Sequence, residues 1–264
     1  MDLGLQGKKA LVVASSRGLG KAVARQLVLE GADVMLTSRS EEALREVQQE
    51  LLALGTGSRV EFCAADVKDK ADIEQLMERS SQLFGGRIDI LVNNAGGPPP
   101  ASFEELDDEA WLQAFQLNLL SVVRLIRSAL PLMKASGGGH IVNLTSSSIK
   151  QPIPGLILSN TMRMGVLGMT KTLSKELGPY GILINTIAPG KIETDRIVQL
   201  DRKRAEQDGI SAEEIAEREQ QKIPLGRYGT PEEFAKAVVF LLSGANTYIT
   251  GTALVIDGGV MDAV

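Results

Sequence analysis

Residues 8–20 read KKALVVASSRGLG, a short apolar run that passes into a turn with glycines at 18 and 20. A run of this length and composition fits a buried strand. Two glycines spaced by one residue, where a strand gives way to a helix, let the backbone approach a neighbouring chain or a ligand closely. In a doubly wound α/β fold this turn sets the N–H groups of a helix N-terminus against a diphosphate. Taken alone, GxG fits a tight turn equally well, and only its place between strand and helix gives it weight.

Outward from this segment the alternation repeats. Runs at 33–37 (DVMLT), 59–63 (RVEFC), 88–92 (IDILV), 140–144 (HIVNL), 182–187 (ILINTI) and 253–256 (ALVI) are separated mostly by amphipathic stretches of helical length. With 8–14 they predict an α/β chain: a single doubly wound Rossmann domain over 1–264, its seven-stranded parallel sheet flanked by helices. Thr230, Pro231 and Glu233 form a helix start signal. Residues 190–229 are too long and too charged for a simple connection, and Ser211 with Glu214 predicts a capping box inside them. Short helices forming a substrate lid are expected there.

Composition narrows the function. An apolar fraction of 44% and a charged fraction of 23% suit a globular chain, and glycine is raised at 27 of 264 residues. A net charge of −5 with scattered basic residues argues against nucleic-acid or polybasic membrane surfaces. Neither a signal-peptide core nor a membrane-length apolar run is present, so a cytoplasmic location is expected. One cysteine, Cys63, and one histidine, His140, leave no disulfide and no evident metal cage.

Further motifs stand at fixed places along the chain. Residues 13–20 (VASSRGLG) resemble the TGxxxGxG turn of the short-chain dehydrogenase/reductase family, with Val13 and Ala14 in place of its threonine and first glycine. Asp66 after the third strand, NNAG at 93–96, Asn118, Ser146, PGKIET at 189–194 and VIDGG at 255–259 follow in the family's order. The chain is thereby identified as a member of that family, similar to 3-oxoacyl-ACP reductases, and the resemblance runs over essentially its whole length.

The resemblance implies a cofactor cradle built from Ser15, Ser16, Arg17, Gly18, Leu19 and Gly20. It further implies Asp66 at the adenine amino group and Asn93, Ala95 and Gly96 beside the adenine ribose. Pro189, Gly190, Ile192 and Thr194 would hold the nicotinamide carboxamide. A bare reading of Asp66 is equally a helix N-cap. The second strand ends in LTSRS, with Ser38 where an NAD-type enzyme carries its carboxylate and Arg39 beside it. Arg39 and Arg17 therefore predict NADP(H), because guanidinium forks suit a 2′-phosphate.

The catalytic residues depart from the family. Asn118 and Ser146 match, but the YxxxK pair is replaced by Ser159 and Arg163 in SNTMRMG. The spacing of four keeps both side chains on one helix face. An aliphatic hydroxyl is a far poorer proton donor than a phenol, and arginine stays charged, so the proton relay has to differ. Lys150 and Lys191 are candidate pocket lysines, and together they would favour an anionic substrate. Three functions are compatible with these residues: an NADPH-dependent carbonyl reductase with an altered relay, an enoyl or dienoyl thioester reductase, and a non-catalytic NADP-binding protein. Helices at 107–134 and 159–178 carry more apolar positions than one buried stripe needs. With the family resemblance they imply a homotetramer, and the MDAV tail at 261–264 reads as too apolar to hang free.

Overall fold

In the computed structural model, which describes residues 1–263, seven strands form one parallel sheet in the order β3-β2-β1-β4-β5-β6-β7. The first half of the chain runs β1 (Lys9–Val13), α1 (Gly18–Leu29), β2 (Asp33–Ser38), α2 (Glu41–Leu52), β3 (Val60–Ala64), α3 (Lys70–Phe84) and β4 (Ile90–Asn93). The second half continues with α4 (Asp108–Phe115), α5 (Ser121–Ala135), β5 (Gly139–Leu144), α6 (Ile157–Leu177) and β6 (Ile182–Pro189). It closes with α7 (Asp195–Asp208), α8 (Ala212–Gln220), α9 (Pro231–Leu242) and β7 (Ala253–Ile256). The strand order reverses between β1 and β4, and in open α/β sheets ligands bind beyond the carboxyl ends of the strands at such a switch point.

All seven expected strands are present, with shifted ends. The fourth begins at Ile90 rather than 88 because Asp89 acts as a tether: its carboxylate accepts from Lys9 N at 2.8 Å and from Arg87 Nε at 2.7 Å. The expected helix over 107–134 runs unbroken from α4 into α5 through a π-turn at Gln116–Leu120, which carries Asn118. Thr230 caps α9 in a reciprocal box with Glu233, as its sequence predicts. Ser211 caps α8 through Glu214 N, but the expected box is not closed, because the Glu214 carboxylate pairs with Arg218 at 2.8 Å. Segment 190–229 holds α7 and α8 and ends against α9. Of the apolar tail, Val264 lies outside the described residues, while Met261 N donates to Asp257 Oδ2.

One core layer packs α1, α2 and α9 on the sheet, the other α3, α5 and α6. Helix α1 buries Val23, Ala24, Leu27 and Val28 completely. Each of the larger of these contributes roughly 1.5–3 kcal/mol relative to exposure, so the glycine turn ahead of α1 rests on a rigid helix. On the other face a buried polar ladder fastens α6 to the sheet. Asn93 Nδ2 donates to Asn143 Oδ1 (2.8 Å), Asn143 Nδ2 to Thr170 Oγ1 (2.9 Å), and Thr186 Oγ1 to Thr170 Oγ1 (3.1 Å). Left unpaired, each of these groups would cost about 1–3 kcal/mol, so the ladder fixes the register of α6 as well as stabilising it.

Candidate active site

The turn after β1 is shaped for close approach. Ala14 sits at φ +51 and Gly18 at φ +55, both left-handed, and a β-carbon on Gly20 would overlap the Ala14 carbonyl. Asn94 Nδ2 donates to Ala14 O at 3.4 Å, so the residue of the NNAG run that braces the turn is Asn94. Ser15 spends its hydroxyl on Thr37, accepting from Thr37 N at 3.0 Å. Arg17 precedes α1 without making a side-chain cap, which leaves the first N–H groups of that twelve-residue helix to a ligand. A dinucleotide diphosphate fits this cradle. Arg17 and Arg39 are exposed, and among the described residues no carboxylate pairs with either.

Asp66 does not cap α3. Asp69 does, accepting from Ala71 N and Asp72 N, while the Asp66 carboxylate accepts from Lys68 N at 3.0 Å in a tight local turn. That leaves Asp66 facing a hollow it lines with Lys68, Asp72 and Gln116.

The PGKIET loop is held at both ends. Gly190 N donates to Ile256 O at 2.9 Å, and Glu193 N to Gly229 O at 2.8 Å. Ile192 is buried, and a β-carbon on Gly190 would lie 2.5 Å from Asp257 Cβ. A β-carbon built on Gly18 would lie 3.8 Å from the Thr194 methyl, so the loop following Pro189 and the glycine turn face each other.

Deeper in, Ser159 and Arg163 are both buried on α6. Arg163 Nε donates to Ser159 Oγ at 3.1 Å, Nη1 to Leu144 O at 3.2 Å and Nη2 to Ala95 O at 3.5 Å. Burial, with the Arg196 charge nearby, pulls the Arg163 guanidinium down to about 10, so it carries its charge at neutral pH. Because Ser159 accepts from that charge, its own O–H is left to donate. Asn118, also buried, donates from Nδ2 to Gly96 O at 2.8 Å and keeps Oδ1 unpartnered. Ser146 heads the turn at Ser147–Ile149, its hydroxyl accepting from Ser148 N at 3.2 Å, and that turn packs on α6.

Neither of the two lysines bonds to Ser159 or Arg163. Lys150 is exposed, while the Lys191 ammonium is paired with buried Glu219 of α8, which also takes Arg204 and Lys222. Lys191 further lies 6.0 Å from the centre of the Tyr228 ring, and burial pulls it to about 8. None of the three tyrosines bonds to Ser159 or Arg163. Tyr228 is buried against Asp201, accepting no proton and donating at 2.9 Å, and burial with that carboxylate raises it above its ordinary value. Tyr180 lies under the Lys134 ammonium and Tyr248 is exposed. Three contributors escaped the sequence reading: Asn143 and Thr170, whose signal was a polar residue within an apolar run, and Arg196, two residues past PGKIET.

The family model described as enoyl-(acyl carrier protein) reductase matches residues 13–261. A 3-oxoacyl-[acyl-carrier-protein] reductase, FabG, of Aquifex aeolicus is 35% identical over 260 residues, covering 98% of this chain and all of that one. The chain therefore belongs to the short-chain dehydrogenase/reductase family of oxidoreductases. Among solved structures, L-sorbose reductase of Gluconobacter frateurii, complexed with NADPH and L-sorbose, superposes with a TM-score of 0.95 at 32% identity and full coverage of both chains. YwfH, an NADPH-dependent reductase involved in bacilysin biosynthesis, gives 0.93 at 28% identity over 98% of this chain and all of its own.

Proposed function

We propose that this chain is an NADPH-dependent reductase of a small carbonyl compound whose proton relay contains no phenol. The observation that carries this is the 3.1 Å hydrogen bond from Arg163 to Ser159 on the buried side of the site. It supports reading Ser159 as a polarised hydroxyl in the tyrosine's stead and Arg163 as a positive charge in the lysine's. The bound cofactor would supply a hydride to the substrate carbon. The glycine turn with the open end of α1 would hold its diphosphate, Arg17 and Arg39 its 2′-phosphate, and Asp66 its adenine. Asn93, Ala95 and Gly96 would flank the adenosine, the loop 189–194 would hold the carboxamide, and Arg163 the nicotinamide ribose. The relatives solved with NADPH, or described as dependent on it, support this choice of cofactor.

Ser146 and Ser159 donate hydrogen bonds to the substrate oxygen as negative charge grows on it, and the proton arrives from solvent. Losing a positioned general acid forfeits about 10²–10⁴ in rate, whereas a preorganised donor retains about 10²–10³ and positioning contributes separately. A second reading, hydride addition to the β-carbon of a conjugated thioester, draws on the same observation: Ser159 and Arg163 stabilise the enolate oxygen, and solvent then protonates the α-carbon. Incubation with NADPH and a panel of ketones, β-keto esters and enoyl thioesters tests both. Alcohol products uphold the first reading, saturated thioesters the second, and tight cofactor binding without turnover on any member overturns both.

A homotetramer goes with this proposal. Leu112, Phe115 and Met164 are exposed around α4 and α6, and Leu225, Tyr248, Leu254 and Val260 are exposed at the opposite end of the chain order. Light scattering at micromolar concentration should return four times the chain mass, and a 28.3 kDa particle would reject it.

A further inference from the structure

Arg196 has no part in the roles assigned above. It stands in the first turn of α7, and a β-carbon built on Gly97 would lie 2.7 Å from its Nη2, so its guanidinium rests on Gly97. Three consecutive residues shortly past β4 thus each carry a polar side chain of the site: Ala95 O takes Arg163, Gly96 O takes Asn118, and Gly97 lies under Arg196. Arg196 therefore stands beside the catalytic residues. The diphosphate cradle is at Gly18 and Gly20, where Thr194 faces it.

Placing this charge here is unfavourable for the protein alone. A cation in the first turn of a helix opposes the helix dipole, which there favours the neighbouring Asp195. Two guanidinium groups also repel, and the Arg196 charge adds to burial in lowering Arg163. Among the described residues neither arginine has a carboxylate partner. By contrast, Lys191, Arg204 and Lys222 nearby in sequence are gathered on Glu219. A ligand that brought one negative charge to the Arg163–Arg196 pair would relieve repulsion and dipole penalty together, and a planar guanidinium fork is matched to a carboxylate. Ser148 Oγ, two residues from Ser146 in the short turn that packs on α6, is buried without a partner.

We infer that Arg196, with Arg163 behind it, binds a carboxylate of the substrate, so that the reactant is an oxo acid and not a neutral ketone or sugar. This rests on the reductase reading above and names its substrate class. Arg196 is then a specificity-determining residue, and Lys150 and Lys191 are not needed to attract the anion.

The test uses the intact protein with acetoacetate and 2-oxobutyrate, their methyl esters, and the corresponding hydroxy acids and hydroxy esters. NADPH oxidation is followed with the oxo compounds, and calorimetric binding of the hydroxy compounds is measured on protein saturated with NADP+. In the parent protein an acid should be preferred over its ester by about tenfold or more, equivalent to about 1.4 kcal/mol. Arg196→Gln should bring that ratio close to one, Arg196→Lys should recover part of it, and the NADPH dissociation constant should stay within about twofold of the parent. Equal handling of acids and esters, binding of none of the acids, or a preference that survives Arg196→Gln would each overturn the inference. So would a tenfold loss of NADPH affinity in Arg196→Gln, which assigns the side chain to the cofactor. An acid preference in the calorimeter without any turnover upholds the carboxylate site and sinks the reductase reading instead.

Discussion

The glycine turn at 14–20 and the α6 pair at 159 and 163 have both lost residues that their family carries, with opposite consequences. At the turn, Ala14 stands in a glycine's place and adopts the glycine's conformation, φ +51, so the course of the backbone is kept. Recognition there runs through backbone N–H groups and a helix end, which do not depend on the side chain so long as it fits. On α6 the pair Ser159 and Arg163 meets through 3.1 Å, and on the proposed reading a different chemistry follows, because there the side chains would do the work. A site made of backbone absorbs substitution; a site made of functional groups is converted by it.

The largest effect that would break this comparison is steric. A β-carbon on Gly20 would overlap the Ala14 carbonyl, so Gly20→Ala forces the turn apart. Overpacking of this kind costs about 1–3 kcal/mol, and NADPH affinity measured by fluorescence titration should fall by up to about 100-fold. Unchanged affinity would mean that the cofactor does not use the turn. Next in size is the α6 pair. Arg163→Ala should lower turnover by about 10- to 100-fold and weaken NADPH binding with it, since both the charge and the ribose contacts go. Ser159→Ala should leave cofactor affinity alone and lower turnover by about tenfold. If both variants turn over at the parental rate, the chemistry lies elsewhere in the pocket.

A third effect concerns charge at the adenosine end. Arg39→Asp should reverse or erase the preference for NADPH over NADH, read as the ratio of dissociation constants, and equal constants in the parent protein would remove its basis. The pH dependence comes next. With Arg163 charged throughout and no phenol in the relay, turnover should be flat from about pH 6 to about pH 9. Lys191, drawn down to about 8, provides the counter-case. If its ammonium delivers the proton, the rate falls as pH rises through about 8, because the donor is lost on deprotonation, and Lys191→Met abolishes that limb. The smallest effect is at the turn again. A left-handed non-glycine residue costs roughly 1–2 kcal/mol, part of which glycine returns as entropy on folding, so Ala14→Gly should raise stability by up to about 1 kcal/mol in urea denaturation with NADPH affinity unchanged.

Much of this protein is determined locally and is legible in the sequence. The seven strands follow from apolar runs, and the glycine turn from its place after the first of them. The meeting of Ser159 with Arg163 follows from helical geometry, since residues four apart share a face. Strand ends were less legible: β4 starts late because Asp89 ties off Lys9 and Arg87, a contact spanning eighty residues. What only the tertiary structure decided is where the long charged side chains go. Lys191 had a place in the nicotinamide loop by sequence and is drawn to Glu219 on α8, while Arg196, unmarked by any motif, lies on Gly97 beside Asn118 and Arg163. Local periodicity sets which face a residue occupies. The partner of a flexible charged side chain is set by how separate elements pack, because its energy depends on burial and on charges that arrive from distant parts of the chain.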